Sequence, residues 1–154
     1  MMNKVNLVFG TVYGNAQFVA ETIEQALLTS GYETKLWQNY ELTGFVPPQS
    51  ELLIVVTSTT GQGDIPDDLQ PWFYELKSIA PYLPELQYGV VALGDSSYET
   101  YCQAGKQVDE LLSELGAKRI GERLELDACE TMEPEVDALT WLKSWNENLS
   151  SELA

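Results

Sequence analysis

The chain has 154 residues, 44% of them hydrophobic, and its 24 acidic residues against 8 basic ones give a formal net charge of −16. This is the length of one domain with enough apolar material for a core, which excludes disorder, and a surface this acidic repels nucleic acid, whose phosphates need Lys and Arg. Histidine is absent, which removes Ser-His-Asp triads, Cys-His pairs and most zinc or haem sites, so any chemistry is expected to belong to a bound cofactor.

Taken in chain order, residues 5–10 read as an apolar strand. Residues 15–30 read as an amphipathic helix, with Phe18, Val19, Ile23, Ala26 and Leu27 at helical spacing and Gly31 as its stop. Residues 33–38 form a weaker strand. Pro47 and Pro48 lie in the loop leading to Leu52-Leu53-Ile54-Val55-Val56-Thr57, a continuous apolar run that suits a parallel strand buried on both faces. Residues 67–78 read as a helix with Leu69, Phe73 and Leu76 on one side, and Pro81 and Pro84 mark the next loop. Residues 88–93 are another apolar strand, 101–115 a helix closed by Gly116, and 119–126 a short alternating strand. A last helix over 132–149 carries Val136, Leu139, Leu142 and Trp145. Strands separated by helices imply an α/β doubly wound fold, a parallel sheet of five strands with five helices over both faces, in a single domain spanning 1–154. No apolar run reaches the length of a membrane span and the N-terminus carries no signal-peptide pattern, so the expected compartment is the cytoplasm, with no membrane partner. Cys102 and Cys129 make neither CxxC nor a metal-ligand spacing and read as ordinary reduced thiols.

In a doubly wound fold, ligands bind at the carboxyl ends of the strands, and the loops there are the informative ones. Loop one, Thr11-Val12-Tyr13-Gly14-Asn15-Ala16, joins the first strand to the first helix. A helix start leaves backbone N–H groups free and its dipole favours negative charge. Gly14 lets the backbone approach a bound group, and Thr11, Tyr13 and Asn15 can add side-chain donors. Neither GxGxxG nor GK[ST] is present, so the loop suits a single phosphate held without lysine or metal. Loop two, Thr57-Ser58-Thr59-Thr60-Gly61-Gln62-Gly63-Asp64, is rich in hydroxyls and glycine. Loop three runs from Leu93 and Gly94 through Asp95, Ser96, Ser97, Tyr98, Glu99, Thr100 and Tyr101 to Cys102. A ligand touching all three would carry a phosphate at one end and a flat polar ring at the other, with Tyr98 stacked on the ring.

The three loops resemble those of the flavodoxin family, and the resemblance covers nearly the entire chain. Thr11-Val12-Tyr13-Gly14-Asn15-Ala16 is similar to the family's phosphate-loop pattern, Ser/Thr-x-Thr-Gly-Asn-Thr, departing from it at Tyr13 and Ala16. The stretch from Leu93 to Cys102 is similar to the family's second flavin loop and is the most specific match. Ser58-Thr59-Thr60-Gly61-Gln62-Gly63-Asp64, followed by Ile65-Pro66-Asp67-Asp68, resembles the flavodoxin domains of diflavin reductases, and the whole chain resembles the small stand-alone bacterial flavodoxins. The brief connection after residues 119–126 matches the short-chain form, which lacks an insertion in the last strand.

The resemblance implies FMN as cofactor and one-electron transfer as the function, with no enzyme activity of the chain's own. All six residues of loop one, then Ser58, Thr59, Thr60 and Gly61, then Leu93, Gly94, Asp95, Tyr98 and Cys102, become the cofactor-binding positions. Tyr98 would stack on the outer face of the isoalloxazine. Thr60 stands where many relatives place an inner aromatic, and the peptide joining Thr60 and Gly61 matches the bond that flips in the family. Backbone groups of Asp95 and Cys102 would face the pyrimidine edge. The implied partners are basic-faced redox proteins, an NADPH-dependent flavodoxin reductase and an acceptor enzyme. They would dock on Asp64, Asp67, Asp68, Glu99 and the acidic stretch from Glu122 to Asp137, and the carrier is expected to be a monomer. Two alternatives stay open: a flavodoxin-like NAD(P)H:quinone reductase, and a flavin-free regulatory module of the same fold.

Overall fold

Three of the apolar runs become strands buried on both faces, and they set the architecture. The computed structural model describes residues 4–12, 14–60, 62–97, 99, 101–131 and 133–153, with side chains described as far as 149. The elements are β1 (Lys4–Gly10), α1 (Asn15–Thr29), β2 (Glu33–Leu36), a 3-10 turn (Asn39–Glu41), β3 (Leu52–Thr57), α2 (Gln70–Ile79), β4 (Gln87–Gly94), α3 (Gln103–Glu114), β5 (Lys118–Arg119), β6 (Leu124–Asp127) and α4 (Pro134–Leu153). Every strand pair is parallel, in the order β2-β1-β3-β4, and both β5 and β6 lie along the outer edge of β4.

Alternate residues of the central strands feed two cores, as the two-residue period of a strand requires. Leu7, Phe9, Ile54 and Val56 pack with α1 and α4 through Val19, Ile23, Leu142 and Trp145. Val8, Leu53, Val55 and Val90 pack with α2 and α3 through Phe73, Leu76, Val108 and Leu112. Helices on both faces follow directly, since neither face of β3 can be left to water. Two glycines let helices sit close to β4: a Cβ at Gly105 would run into Ala92, and one at Gly89 would lie 2.7 Å from the Trp145 indole nitrogen.

The fold class is as the sequence indicates, with two differences of count. Four α-helices, not five, are found among the described residues; the remaining helical segment is the single 3-10 turn. The strand expected over 119–126 is two strands. After Arg119 the Ile120 N–H still bonds the Tyr88 carbonyl at 2.8 Å, and the chain then turns at Gly121, whose φ is +70°. Pairing resumes with Leu124 opposite Val91.

What holds this turn is a buried carboxylate. Asp109 of α3 is 5% exposed, takes the Tyr88 hydroxyl at 2.6 Å, and receives Arg119 at 2.5 Å and Arg123 at 2.7 Å. Arg123 also reaches Glu125 at 3.1 Å. Three partners on one carboxylate satisfy its charge and its lone pairs, which a buried charge requires. Removing the charge strands two guanidiniums at the edge of a helix–sheet interface. Asp109→Asn is therefore expected to destabilise the protein by about 2–3 kcal/mol, below the full cost of breaking a buried pair because the arginines are partly exposed. Urea denaturation would read this, with Glu41→Gln at the half-exposed Lys35–Glu41 pair as control. Equal midpoints for the two variants would contradict the account.

Candidate functional site

The register of the sheet brings the ends of three strands level. Gly10 lies opposite Thr57, and Thr57 opposite Ala92. The loops that leave β1, β3 and β4 therefore start side by side on one edge of the sheet, and hydrogen bonds between them hold the group together.

Loop one begins at Thr11, half-buried, followed by Val12, which is exposed. Thr11 Oγ1 accepts the Gly14 N–H at 2.7 Å and closes the loop. Gly14 caps α1 with φ +90° and ψ −7°, a left-handed conformation in which a side chain would be strained. No side chain caps the helix start and its first turn holds no acid, so the leading N–H groups have no anionic competitor on the helix itself. Asn15 is exposed there, while Ala16 is fully buried in the core beside Val19. The Ala16 methyl is thus a packing group, and only its backbone can face a ligand. Tyr13 lies outside the described residues.

Loop two is tied to both neighbours. The Ser58 N–H donates to the Gly10 carbonyl at 2.9 Å, and Thr59 Oγ1 accepts the Ala104 N–H at 3.3 Å. Gln107 of α3 donates to the Gly63 carbonyl at 2.9 Å. Thr60 closes the turn on itself: its N–H reaches the Asp64 carbonyl at 3.1 Å and its Oγ1 accepts the Asp64 N–H at 2.9 Å. The Thr60 side chain is consequently a turn-former. Gly61 lies outside the described residues.

Loop three is organised by two carboxylates. Asp95 Oδ1 accepts the Ser97 N–H at 2.8 Å, the Ser97 hydroxyl at 2.5 Å and the Cys129 thiol at 3.0 Å. Asp127, at the end of β6, accepts the Ser96 N–H at 3.0 Å and the Cys129 N–H at 2.9 Å. The Cys129 thiol and then Ser97 hold Asp95 below the usual carboxylate range, and bonds from Ser96 and then Cys129 do the same for Asp127. Asp95 in turn pushes the exposed Cys129 thiol up. Leu93 packs into the core beneath the loop. Gly94 is needed for contact: a Cβ there would lie 2.8 Å from the Cys102 nitrogen. Cys102 caps α3 with φ +53°, is fully buried, and its thiol reaches the Ala92 carbonyl at 3.6 Å. Burial pushes that thiol up to about 12, so Cys102 stays neutral and inert at physiological pH. Tyr98 lies outside the described residues.

Two residues the sequence assigned to an acidic rim have other work. Asp127 is 7% exposed and caps loop three. Asp68 is half-buried and takes the Thr11 N–H at 3.1 and 3.2 Å. Neither role has a local signature, because Ser96 and Thr11, the partners that define the two roles, are far along the chain. Gly10 was also missed as a contact glycine: a Cβ there would lie 2.7 Å from that of Leu69.

Comparison with known proteins shows the family and agrees with the fold. A family profile described as Flavodoxin matches residues 7–141. Flavodoxin YqcA of Escherichia coli K12 is 44% identical over 149 residues, covering 97% of this chain and 100% of that protein. The sulfite reductase [NADPH] flavoprotein alpha-component of Vibrio vulnificus is 37% identical over 152 residues, 98% of this chain but 24% of that much longer one. Among solved structures, a flavodoxin from Pseudomonas aeruginosa, solved as a cysteine-to-alanine mutant, superposes with a TM-score of 0.85 at 41% identity, covering 96% of this chain and 99% of that one.

Proposed function

The chain belongs to the flavodoxin family and is an electron carrier, and on that premise we propose that it holds one FMN across the three loops and acts as a carrier without an enzyme activity of its own. The observation that carries the cofactor reading is the chemistry of loop one: a helix start free of any capping side chain, opened by a left-handed glycine, beside the Thr11 hydroxyl. Such a donor set fits a phosphate monoester. The Thr11 hydroxyl and the leading N–H groups of α1 would hold the phosphate. Ser58, Thr59, Thr60 and Gly61, with the backbone of loop three from Gly94 to Cys102, would hold the ring system, and Tyr98 would stack on it. FMN, when bound, supplies the capacity to take up and release electrons one at a time. The chain would orient it through the three loops and place negative charge around it.

Residues 11–17, 57–68 and 93–102 contain no Lys or Arg, so nothing in the loops would neutralise a second phosphate. Calorimetry on the apoprotein is expected to give one equivalent of FMN and binding of FAD at least tenfold weaker. Equal or tighter binding of FAD would contradict the reading.

We assign docking of redox partners, an NADPH-dependent reductase and an acceptor enzyme, to the acidic surface beside the loops. Asp64, Asp67 and Glu99 are exposed there. A groove of about 530 Å3 lies between β6 and α4, lined by Glu125, Asp127, Glu130 and Asp137 around Trp141, and it adjoins loop three through the bond from Ser96 to Asp127. Two free cysteines, one of them exposed, suit a reducing compartment, and we place the protein in the cytoplasm. Electrostatic docking has a clear signature, because the Debye length falls from about 30 Å at 0.01 M salt to about 8 Å at 0.15 M. Stopped-flow reduction by a flavodoxin reductase is expected to slow about tenfold over that range. Neutralising Asp64, Asp67 and Glu99 to Asn, Asn and Gln should lower the rate at low salt, and the difference should vanish at high salt. Rates that ignore ionic strength in both proteins would overturn the docking assignment.

A further inference from the structure

We propose that Asp68 is a positioning residue for the phosphate loop, fixing Thr11 through its backbone so that loop one is already shaped before an anion arrives. The proposal rests on the FMN reading given above for loop one. Two adjacent acids behave differently: Asp67 is exposed, whereas Asp68 is half-buried with both carboxylate oxygens on the Thr11 N–H, at 3.1 and 3.2 Å. The turn that carries Asp68 is itself fixed. The Pro66 carbonyl accepts the Leu69 N–H at 2.9 Å and the Gln70 N–H at 3.0 Å, and Leu69 packs against the bare Cα of Gly10. Leu69 and Asp68 thus grip consecutive residues, Gly10 and Thr11, at the point where β1 becomes loop one.

The consequence runs along the loop. With its backbone N–H turned to Asp68, Thr11 points its hydroxyl across the loop, where Oγ1 accepts the Gly14 N–H at 2.7 Å. That hydroxyl keeps its own proton to donate. Gly14 then opens α1. A carboxylate cannot serve as a ligand for a phosphate, since like charges repel. Its use here is as an acceptor for a backbone group, and its charge is a cost. Burial raises the Asp68 carboxyl above its ordinary value, with the Thr11 N–H opposing the shift in part, as expected for a charge kept in place by its hydrogen bond.

The two contributions separate by substitution. Asp68→Asn removes the charge and keeps an oxygen for Thr11, whereas Asp68→Ala removes both. FMN is expected to bind Asp68→Asn at least as tightly as the wild type, and Asp68→Ala about five- to tenfold more weakly than Asp68→Asn, the size of one hydrogen bond. Riboflavin, which lacks the phosphate, should bind the two variants equally. Equal FMN affinities for the two variants would overturn the proposal, and so would a loss for riboflavin that matches the loss for FMN. The Thr11 amide exchange rate in the apoprotein gives an independent reading. It should rise in Asp68→Ala and stay near wild type in Asp68→Asn, and equal rates would overturn the anchor. If wild-type protein bound no FMN, the cofactor reading would fail while the exchange experiment still decided the role of Asp68.

Discussion

The site depends on the parallel register that sets Gly10, Thr57 and Ala92 in one row across β1, β3 and β4. Adjacent strands lie about 4.8 Å apart, so three strands deliver three loops within about 10 Å of one another. A parallel sheet also aligns every strand's carboxyl end on the same edge, which is why the loops from β1, β3 and β4 meet while the returning connections lie on the far side. The row is kept by burial. All six residues of β3 are buried, as are Val5 to Gly10 of β1, and a slip of one residue would turn each apolar side chain to the wrong layer.

Above that edge polar contacts join the loops to one another and to their neighbours, and these are arranged as a network. Asp68 joins the end of loop two to loop one, Thr59 and Gln107 join loop two to α3, and Asp127 joins β6 to loop three. Each contact satisfies a backbone group that no helix or strand can reach, which a partly buried loop requires. Charge enters as a consequence. Carboxylates accept more than one N–H at a time, so the loop anchors Asp68, Asp95 and Asp127 add to the excess of acids around the site. An anion-binding loop set among acids must rely on backbone donors and a helix start rather than on lysine.

Much of this was legible in the sequence because the signals are local. The run from Leu52 to Thr57 allowed only a strand buried on both faces, and glycines after residues 15–30 and 101–115 marked the ends of α1 and α3. The hydroxyl- and glycine-rich loops stood out where a doubly wound fold binds ligands. What was not legible depends on distant partners. The turn at Gly121 inside the expected strand over 119–126 is held by Asp109 on another element. The start of α2 falls at Gln70 rather than at residue 67, because residues 66–69 form a turn aimed at Gly10 and Thr11. Asp68 read as one more surface acid for the same reason. Ala16 stood out only as a departure from the family's loop pattern; that its side chain belongs to the core depends on the phase of α1 relative to β1, which the sequence does not print.

The account's central claim is that one flavin mononucleotide spans three loops at the carboxyl edge of β1, β3 and β4. Titration of FMN into isotopically labelled apoprotein, followed by amide chemical shifts, tests it most directly. The account predicts that the large shifts fall within residues 11–17, 58–64 and 94–102 and saturate together at one equivalent. Shifts concentrated instead in the groove between β6 and α4, or confined to a single loop, would contradict it.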